Sequence, residues 1–329
     1  QVALAKDGLL FDDRIERIGF LTIAQDGKRI LLNGQPVFIR GFNRHEDYAV
    51  VGCAVPLQLM MKDMDILEDL GANSVRCSHY PNDSMFLDLC DERGILVWEE
   101  SHARGFELDR MLNPNFDRQS EDCIREMVAQ HYNHPSIYIW GVMNECASQT
   151  PEGRVKYEAQ LGLFKELDQS RLTTFATCQH YTDICLDIPD VVSYNMYAGW
   201  YVEEPSKVTN QKILDWIKSS GGDGKPVIVS EFGAGAVYGY RDRTRAKWSE
   251  ERQCDIIKEN LEEYLNHPDV AGVYLWQFAD VRVTEEEWFY RRPRTYNNKG
   301  IVDEFRRPKL AYDVVKEMYE ADAAKRDKR

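Results

Sequence analysis

The feature that most constrains this chain is a repeated alternation of two patterns. Eight short apolar segments, at residues 37–42, 74–76, 95–98, 137–140, 173–176, 191–194, 227–229 and 273–276, are separated by longer stretches. Most of those stretches have helical periodicity, with helices expected over 56–70, 83–93, 117–132, 154–168, 245–265 and 310–321. Short continuous apolar runs bounded by turn residues fit strands buried on both faces, which is what a parallel sheet covered by helices requires. Eight such strands, most followed by a helix, point to an α/β fold, a closed (β/α)8 TIM barrel. A doubly wound open sheet is the alternative, but no glycine-rich phosphate turn follows the first segment. A chain of 329 residues is long enough for one core of this size.

Before residue 35 the pattern is different. Residues 18–24 alternate, Asp26-Gly27 signals a hairpin turn, 29–32 form a second run, and Asn33-Gly34 signals another turn. The expected organisation is therefore a β-segment over 1–34, a barrel over 35–322, and a charged, frayed tail over 323–329. The formal net charge of -14 repels phosphate backbones and argues against a nucleic-acid partner. No apolar run reaches the length of a membrane span, about 18 residues. The first ten residues lack a signal-peptide pattern. Eight cysteines with no CxxC spacing suggest reduced thiols and a cytoplasmic setting. Self-association into a homo-oligomer is left open.

In a barrel of this kind the functional groups lie at the C-terminal strand ends. Those ends carry Arg44, His45 and Glu46, then Arg76 and His79, then Glu99 and Glu100. Asn144 and Glu145 follow the fourth segment, Asn195 and Tyr197 the sixth, Glu231 the seventh, and Trp276 ends the eighth. A carboxylate at the end of an apolar strand is unusual, because buried carboxylates need partners. Two carboxyls facing each other across one mouth suit glycosidic bond cleavage. One protonates the leaving oxygen, and the other meets the developing positive charge at the anomeric carbon.

Three longer stretches carry a resemblance. Residues 133–145, NHPSIYIWGVMNE, resemble the acid/base signature of glycoside hydrolase family 2. Residues 73–81, NSVRCSHYP, resemble the other signature of that family, and 227–233, VIVSEFG, its nucleophile strand. The resemblance implies a retaining mechanism, with Glu145 as acid/base and Glu231 as nucleophile. It implies that Asn144 bonds the sugar 2-hydroxyl, that Tyr197 bonds the nucleophile, and that Trp276 walls the sugar subsite. Arg76 would keep Glu231 ionised, supported by His79 and Asn195. His45 and Tyr201 would line the subsite.

A further stretch, NNKG at 297–300, resembles the Asn-x-Lys element of β-glucuronidases, in which Asn and Lys bind the sugar carboxylate. This would assign Asn297 and Lys299 to that task, with Arg292 and Arg294 just upstream to add charge. GFNRHED at 41–47 and YAGWY at 197–201 also resemble β-glucuronidases more than β-galactosidases. The expected substrate is a terminal β-glucuronide, with a β-galacturonide or β-galactoside as the alternative within the family. Full-length members carry a jelly-roll and an immunoglobulin-like domain before the barrel, and the jelly roll contributes an Asp to the subsite. Residues 1–34 would then be the end of that preceding region, and a non-catalytic carbohydrate-binding or assembly module is the alternative from another class. No HExxH-type spacing appears, and the expected chemistry uses no cofactor and no metal. Cys146 is expected to pack beside Glu145, since no base partner for a nucleophilic thiol is evident.

Overall fold

The computed structural model describes residues 2–15, 17–284 and 291–328. Residues 1, 16, 285–290 and 329, which fall within the expected spans 1–34, 35–322 and 323–329, lie outside the described residues.

The chain opens with two strands, β1 (Val2–Lys6) and β2 (Leu9–Arg14), paired antiparallel around Asp7-Gly8. Asp7 and Gly8 both have positive φ, as the tight primed turn of a two-residue hairpin requires. Next come β3 (Ile23–Asp26), β4 (Arg29–Leu32) and β5 (Gln35–Val37), which form a three-stranded antiparallel sheet. The alternation expected over 18–24 becomes strand only from Ile23 onward.

The barrel follows. Its strands are β6 (Ile39–Arg44), β7 (Ser74–Cys77), β8 (Leu96–Glu100), β9 (Ile137–Val142), β10 (Leu172–Thr177), β11 (Val192–Asn195), β12 (Val227–Phe232) and β13 (Gly272–Leu275). They pair in parallel in chain order, and β13 pairs back to β6 to close the ring. Around it lie α1 (Leu57–Asp69), α2 (Ser84–Arg93), α3 (Leu108–Met111), α4 (Phe116–His131), α5 (Pro151–Leu167), α6 (Ser206–Ile217), α7 (Glu250–Tyr264) and α8 (Ala311–Arg326). A two-residue ladder, β14 (Val281–Arg282) with β15 (Tyr296–Asn297), sits between β13 and α8.

Local chemistry sets several helix ends. Asp83 accepts from the Met85 N–H at the start of α2, Thr150 from the Gly153 N–H at α5, and Ser249 from the Arg252 N–H at α7. Ser249 explains why α7 begins at Glu250 and not at the expected residue 245. Residues 245 and 248 have positive φ and cannot continue a helix. Asn210, on the inner face of α6, accepts from the Tyr194 hydroxyl and donates to Glu263. The buried positions in the first half of α6, Ser206, Thr209 and Asn210, are polar and hide the start of the pattern, while Ile213, Leu214, Trp216 and Ile217 are buried in its second half; this helix was not expected. No helix separates β10 from β11.

Along most of their length the strands alternate between two environments. Val75, Val97, Val227 and Val229 face the helices, whereas Trp98, Ile139, Ile228 and Tyr274 fill the barrel interior. Gly41 and Gly141 make room inside. A Cβ on Gly41 would lie 2.3 Å from the Tyr274 ring, and one on Gly141 2.2 Å from the Trp98 indole nitrogen. The three-stranded sheet closes the lower end: Ile30, fully buried, packs with Ile39, Leu96, Trp98, Leu172 and Ala271. The division expected at residue 34 is therefore not a break in packing, and Val37 belongs to β5, paired with Ile30, not to the first barrel strand.

The far end differs from expectation too. The tail from 323 does not fray at once, because α8 continues to Arg326. Arg326 holds Asp322 at 2.8 Å and lies 3.8 Å over the Phe38 ring. No helix among the described residues is long and apolar enough to cross a membrane. All eight cysteines are unpaired.

Replacing Ile30 by Ala should cost about 3 kcal/mol, because the barrel floor cannot collapse into the space left. Urea unfolding followed by tryptophan fluorescence measures this. A loss below about 1 kcal/mol would show that β3–β5 are not part of the barrel's cooperative core.

Candidate active site

Side-chain parity decides which strand-end groups reach the mouth. On β6, Gly41 and Asn43 point inward, while Arg44 points out to Asp63 on α1, 3.0 Å away. On β8, Trp98 and Glu100 point inward, while Glu99 turns outward to His131 on α4 at 2.9 Å. Adjacent glutamates thus have different surroundings, and both are buried.

Strand β12 needs an irregularity. Val227 and Val229 face outward, so strict alternation would also send residue 231 outward. The register with β11 shifts after Tyr194, pairing Asn195 with Glu231. That bulge reverses the parity and turns Glu231 into the mouth, leaving Phe232 to face the helices. Near Glu145 the chain is also special, since Met143 and Glu145 both have positive φ. Three hydrogen bonds hold this unusual backbone: Glu145 N–H to Ala176 O, Tyr157 hydroxyl to Met143 O, and Gly105 N–H to Asn144 O.

Arg76, fully buried, is the hub. Its Nε and Nη2 donate to both Glu100 oxygens at 2.9 and 3.0 Å. Its Nη1 donates to Asn43 Oδ1 at 3.0 Å and Glu231 Oε1 at 3.1 Å, and Nη2 also donates to Asn144 Oδ1 at 2.8 Å. The other oxygen of Glu231 accepts from the Tyr197 hydroxyl at 2.6 Å. Asn195 Nδ2 donates to Glu145 Oε1 at 2.8 Å, and Ser230 in turn bonds Asn195 Oδ1 at 2.7 Å. With Asn144 Oδ1 occupied by Arg76, the Asn144 amide nitrogen is left to serve as a donor.

Of these groups, Asn144, Glu145, Asn195, Tyr197 and Glu231 line a cavity of about 1080 Å³. Burial first, and the Glu145 charge second, push the Glu231 carboxyl up to about 7, while Arg76 and Tyr197 pull it down. His79 stacks on Trp276, with centroids 5.1 Å apart and planes at 17°, and His45 meets the same indole edge-on at 5.4 Å. Burial holds both imidazoles well below their usual range, helped by the Arg104 charge, so they stand neutral in the wall.

Lys299 reaches the cavity from the connection after β15. It is only 2% exposed, and its Nζ donates to the Tyr201 hydroxyl at 2.8 Å. The ammonium lies 4.8 Å from the Tyr201 ring centroid and 5.4 Å from that of Tyr197. No carboxylate lies within 4.0 Å of it among the described residues, and burial holds its pKa well below the usual range. Asn297 lines the same wall, and its buried amide oxygen has no partner.

Of the residues expected at the site, Arg294 is misplaced. Its backbone has positive φ, and its guanidinium turns to Glu304 and over the Tyr296 ring at 4.9 Å, away from the cavity. Arg292 lines the cavity instead. Arg76 bonds Glu231, Asn195 bonds Glu145, and His79 Nδ1 lies 2.7 Å from Glu100 Oε1. Cys146 is buried beside Glu145, its thiol near the Asn144 carbonyl. Sequence reading missed Arg104, Cys178 and His180, which also line the cavity. His180 Nε2 bonds the Asn195 carbonyl at 2.9 Å. The signal for Arg104 was available, because it follows Glu100 at a strand's C-terminal end. Among the described residues, one group with metal-ligand spacing, Asp88, Asp91 and His134, lies outside the cavity.

Comparison with known proteins places this geometry. The family model described as glycosyl hydrolases family 2, TIM barrel domain, matches residues 23–323. A β-galacturonidase from Eisenbergiella tayi, solved with galacturonate, is 55% identical, with a TM-score of 0.92 over 93% of this chain and 55% of its own. The β-glucuronidase of Streptococcus agalactiae is 32% identical over 96% of this chain and 55% of its own length. A Bifidobacterium dentium β-glucuronidase complexed with coumarin-3-O-glucuronide is 29% identical, with a TM-score of 0.90 over 97% of this chain and 52% of its own. The chain thus spans about half the length of these relatives. With the matched residues running from the floor sheet into α8, this chain belongs to glycosyl hydrolase family 2 and carries its TIM-barrel domain.

Proposed function

We propose that this chain is the catalytic barrel of a retaining glycosidase that removes terminal β-hexuronides. The observation that carries the substrate class is Lys299. A buried ammonium with no carboxylate within 4.0 Å among the described residues is costly, and a substrate carboxylate would offset that cost. Asn297 lines the same wall, and its amide nitrogen supplies a neutral donor for the second carboxylate oxygen.

The chemistry runs through two carboxyls. Glu231 attacks the anomeric carbon, while protonated Glu145 gives its proton to the leaving oxygen, releasing the aglycone as an alcohol. Glu145, now ionised, takes a proton from water as that water attacks the same carbon, and Glu231 leaves as a carboxylate. Arg76 and Tyr197 bond the two oxygens of Glu231 and favour its ionised form. Asn144 Nδ2 is the donor for the sugar 2-hydroxyl oxygen, and Trp276 with His45 forms the apolar wall. A binding-only module has no use for this divided pair.

The 55% identity to a β-galacturonidase supports galacturonides as the preferred substrate. The β-glucuronidases at about 30% identity support glucuronides as the second reading. The end of a preceding β-domain was expected over 1–34; with the family match beginning at residue 23, we keep that reading for the residues before it.

A panel of nitrophenyl β-glycosides tests the substrate class in the full-length protein. Turnover should favour the galacturonide and glucuronide over the galactoside. Lys299→Met should reduce kcat/KM on the uronides by roughly 10–100-fold, as expected for losing a charged hydrogen bond, and leave the galactoside nearly unchanged. Equal losses on all three would remove carboxylate recognition from the account.

The pH profile tests the pair. Glu231, raised to about 7 beside a charged Glu145, loses its nucleophilic form as pH falls. Without the Glu145 charge, one cause of that rise is gone, and Glu231 stays ionised to lower pH. Glu145→Gln fixes that neutral state permanently. Its first-turnover rate on a nitrophenyl uronide should therefore show an acidic limb below pH 7, and a limb at or above 7 would contradict the coupling.

A further inference from the structure

The turn that carries Asn297 and Lys299 is not part of the barrel. Its local support is the two-residue ladder of β14 with β15, which is too short to fix a turn by itself. Lys309, just before α8, supplies another hold. Its ammonium is buried and spends its donors on three oxygens: Asp280 Oδ1 at 2.7 Å, Ala236 O at 2.7 Å and Asn298 O at 3.1 Å. Each belongs to a different segment. Ala236 is on the loop after the Glu231 strand, Asp280 is on the loop after Trp276, and Asn298 lies between Asn297 and Lys299.

The rest of the turn is seated on the same framework. Asp280 Oδ1 also accepts from the Gly300 N–H at 2.8 Å, and the Ala236 N–H donates to Asn298 O at 2.8 Å. Gln277 holds Asn297 O through its side chain at 2.9 Å and Lys299 O through its backbone at 3.0 Å. A Cβ on Gly300 would meet Asp280 N and Val302 O at 2.3 Å, so the backbones leave no slack there. Neither Asp280 nor Lys309 lines the cavity. Both side chains are fully buried. A buried ion pair is weak evidence for stability in itself, and an apolar pair of similar size would fill the space. What an apolar pair cannot do is bind two backbone carbonyls and a carboxylate at one point.

The geometry points to a positioning role: the Asp280–Lys309 pair fixes the Asn297–Lys299 turn against the loops after β12 and β13, so uronide selectivity depends on two residues that never touch the sugar. This rests on the reading of Lys299 as the carboxylate ligand. Glu231 itself is held independently, by Arg76 and Tyr197. Loosening the pair should therefore move the carboxylate subsite and spare the hydrolytic pair.

The test compares substrates in the full-length protein. Lys309→Met alone strands a buried carboxylate and risks unfolding, so the double variant Asp280→Asn/Lys309→Met is the main probe. Its amide at 280 still accepts from the Gly300 N–H. The expected result is a KM for nitrophenyl β-galacturonide raised on the order of 10–100-fold, with kcat/KM for the nitrophenyl β-galactoside within about twofold of wild type. Asp280→Asn alone keeps the hydrogen bonds and weakens the charge hold, so it should show the same split to a smaller degree; it carries the comparison if the double variant does not fold. A wild type that prefers uronides and variants that keep that preference would overturn this proposal alone. Equal losses on both substrates would overturn it as well. A wild type with no uronide preference would remove the reading of Lys299 and this proposal together.

Discussion

The site depends on one buried guanidinium. Arg76 has no water to solvate it, so each of its donors must find an acceptor within the barrel mouth. It finds Glu100 on β8, Asn43 on β6, Asn144 after β9 and Glu231 on β12. Those acceptors come from four strands besides its own, and Arg76 therefore fixes their ends relative to one another. Its charge also favours the ionised form of Glu231, against the burial that opposes it. Removing one partner of a buried charge network costs about 3–5 kcal/mol, so a change at Arg76 would disturb structure and chemistry together.

Around that hub, two features divide the roles of the carboxyls. The bulge in β12 turns Glu231 inward, where Arg76 and Tyr197 bond both its oxygens. The left-handed backbone at Glu145 presents the other carboxyl with Asn195 as its hydrogen-bond donor. His45 and His79 add no charge to this region, because burial keeps them neutral against Trp276. Lys299 stands apart as a cation that the described carboxylates leave unpaired.

Much of this was legible in the sequence, for physical reasons. A strand buried on both faces must be a continuous apolar run, so the eight barrel strands could be read directly. Groups at strand ends lie close to the mouth, so Glu145, Glu231, Arg76 and Trp276 could be placed, whereas parity turns Arg44 and Glu99 out to the helices. Other features depend on contacts between distant residues. In the first half of α6 the buried positions are polar, with Asn210 bonding Tyr194 and Glu263, and this conceals where its periodicity begins. Arg294 was misplaced because its direction is set by Glu304 and by a left-handed turn. Lys309 carried no local sign of its place, since its three partners are scattered over three loops. The floor sheet was read as β-structure, but its packing against the barrel interior emerged only through Ile30.

The central claim is that Glu231 forms the covalent intermediate and Glu145 does not. An activated 2-deoxy-2-fluoro β-uronide, which slows release of such an intermediate, tests it by mass spectrometry of the digested full-length protein. The account predicts one glycosyl unit added, on the peptide that contains Glu231, with loss of activity in step with labelling. A label on Glu145, or turnover that inverts the anomeric centre without any label, would contradict it.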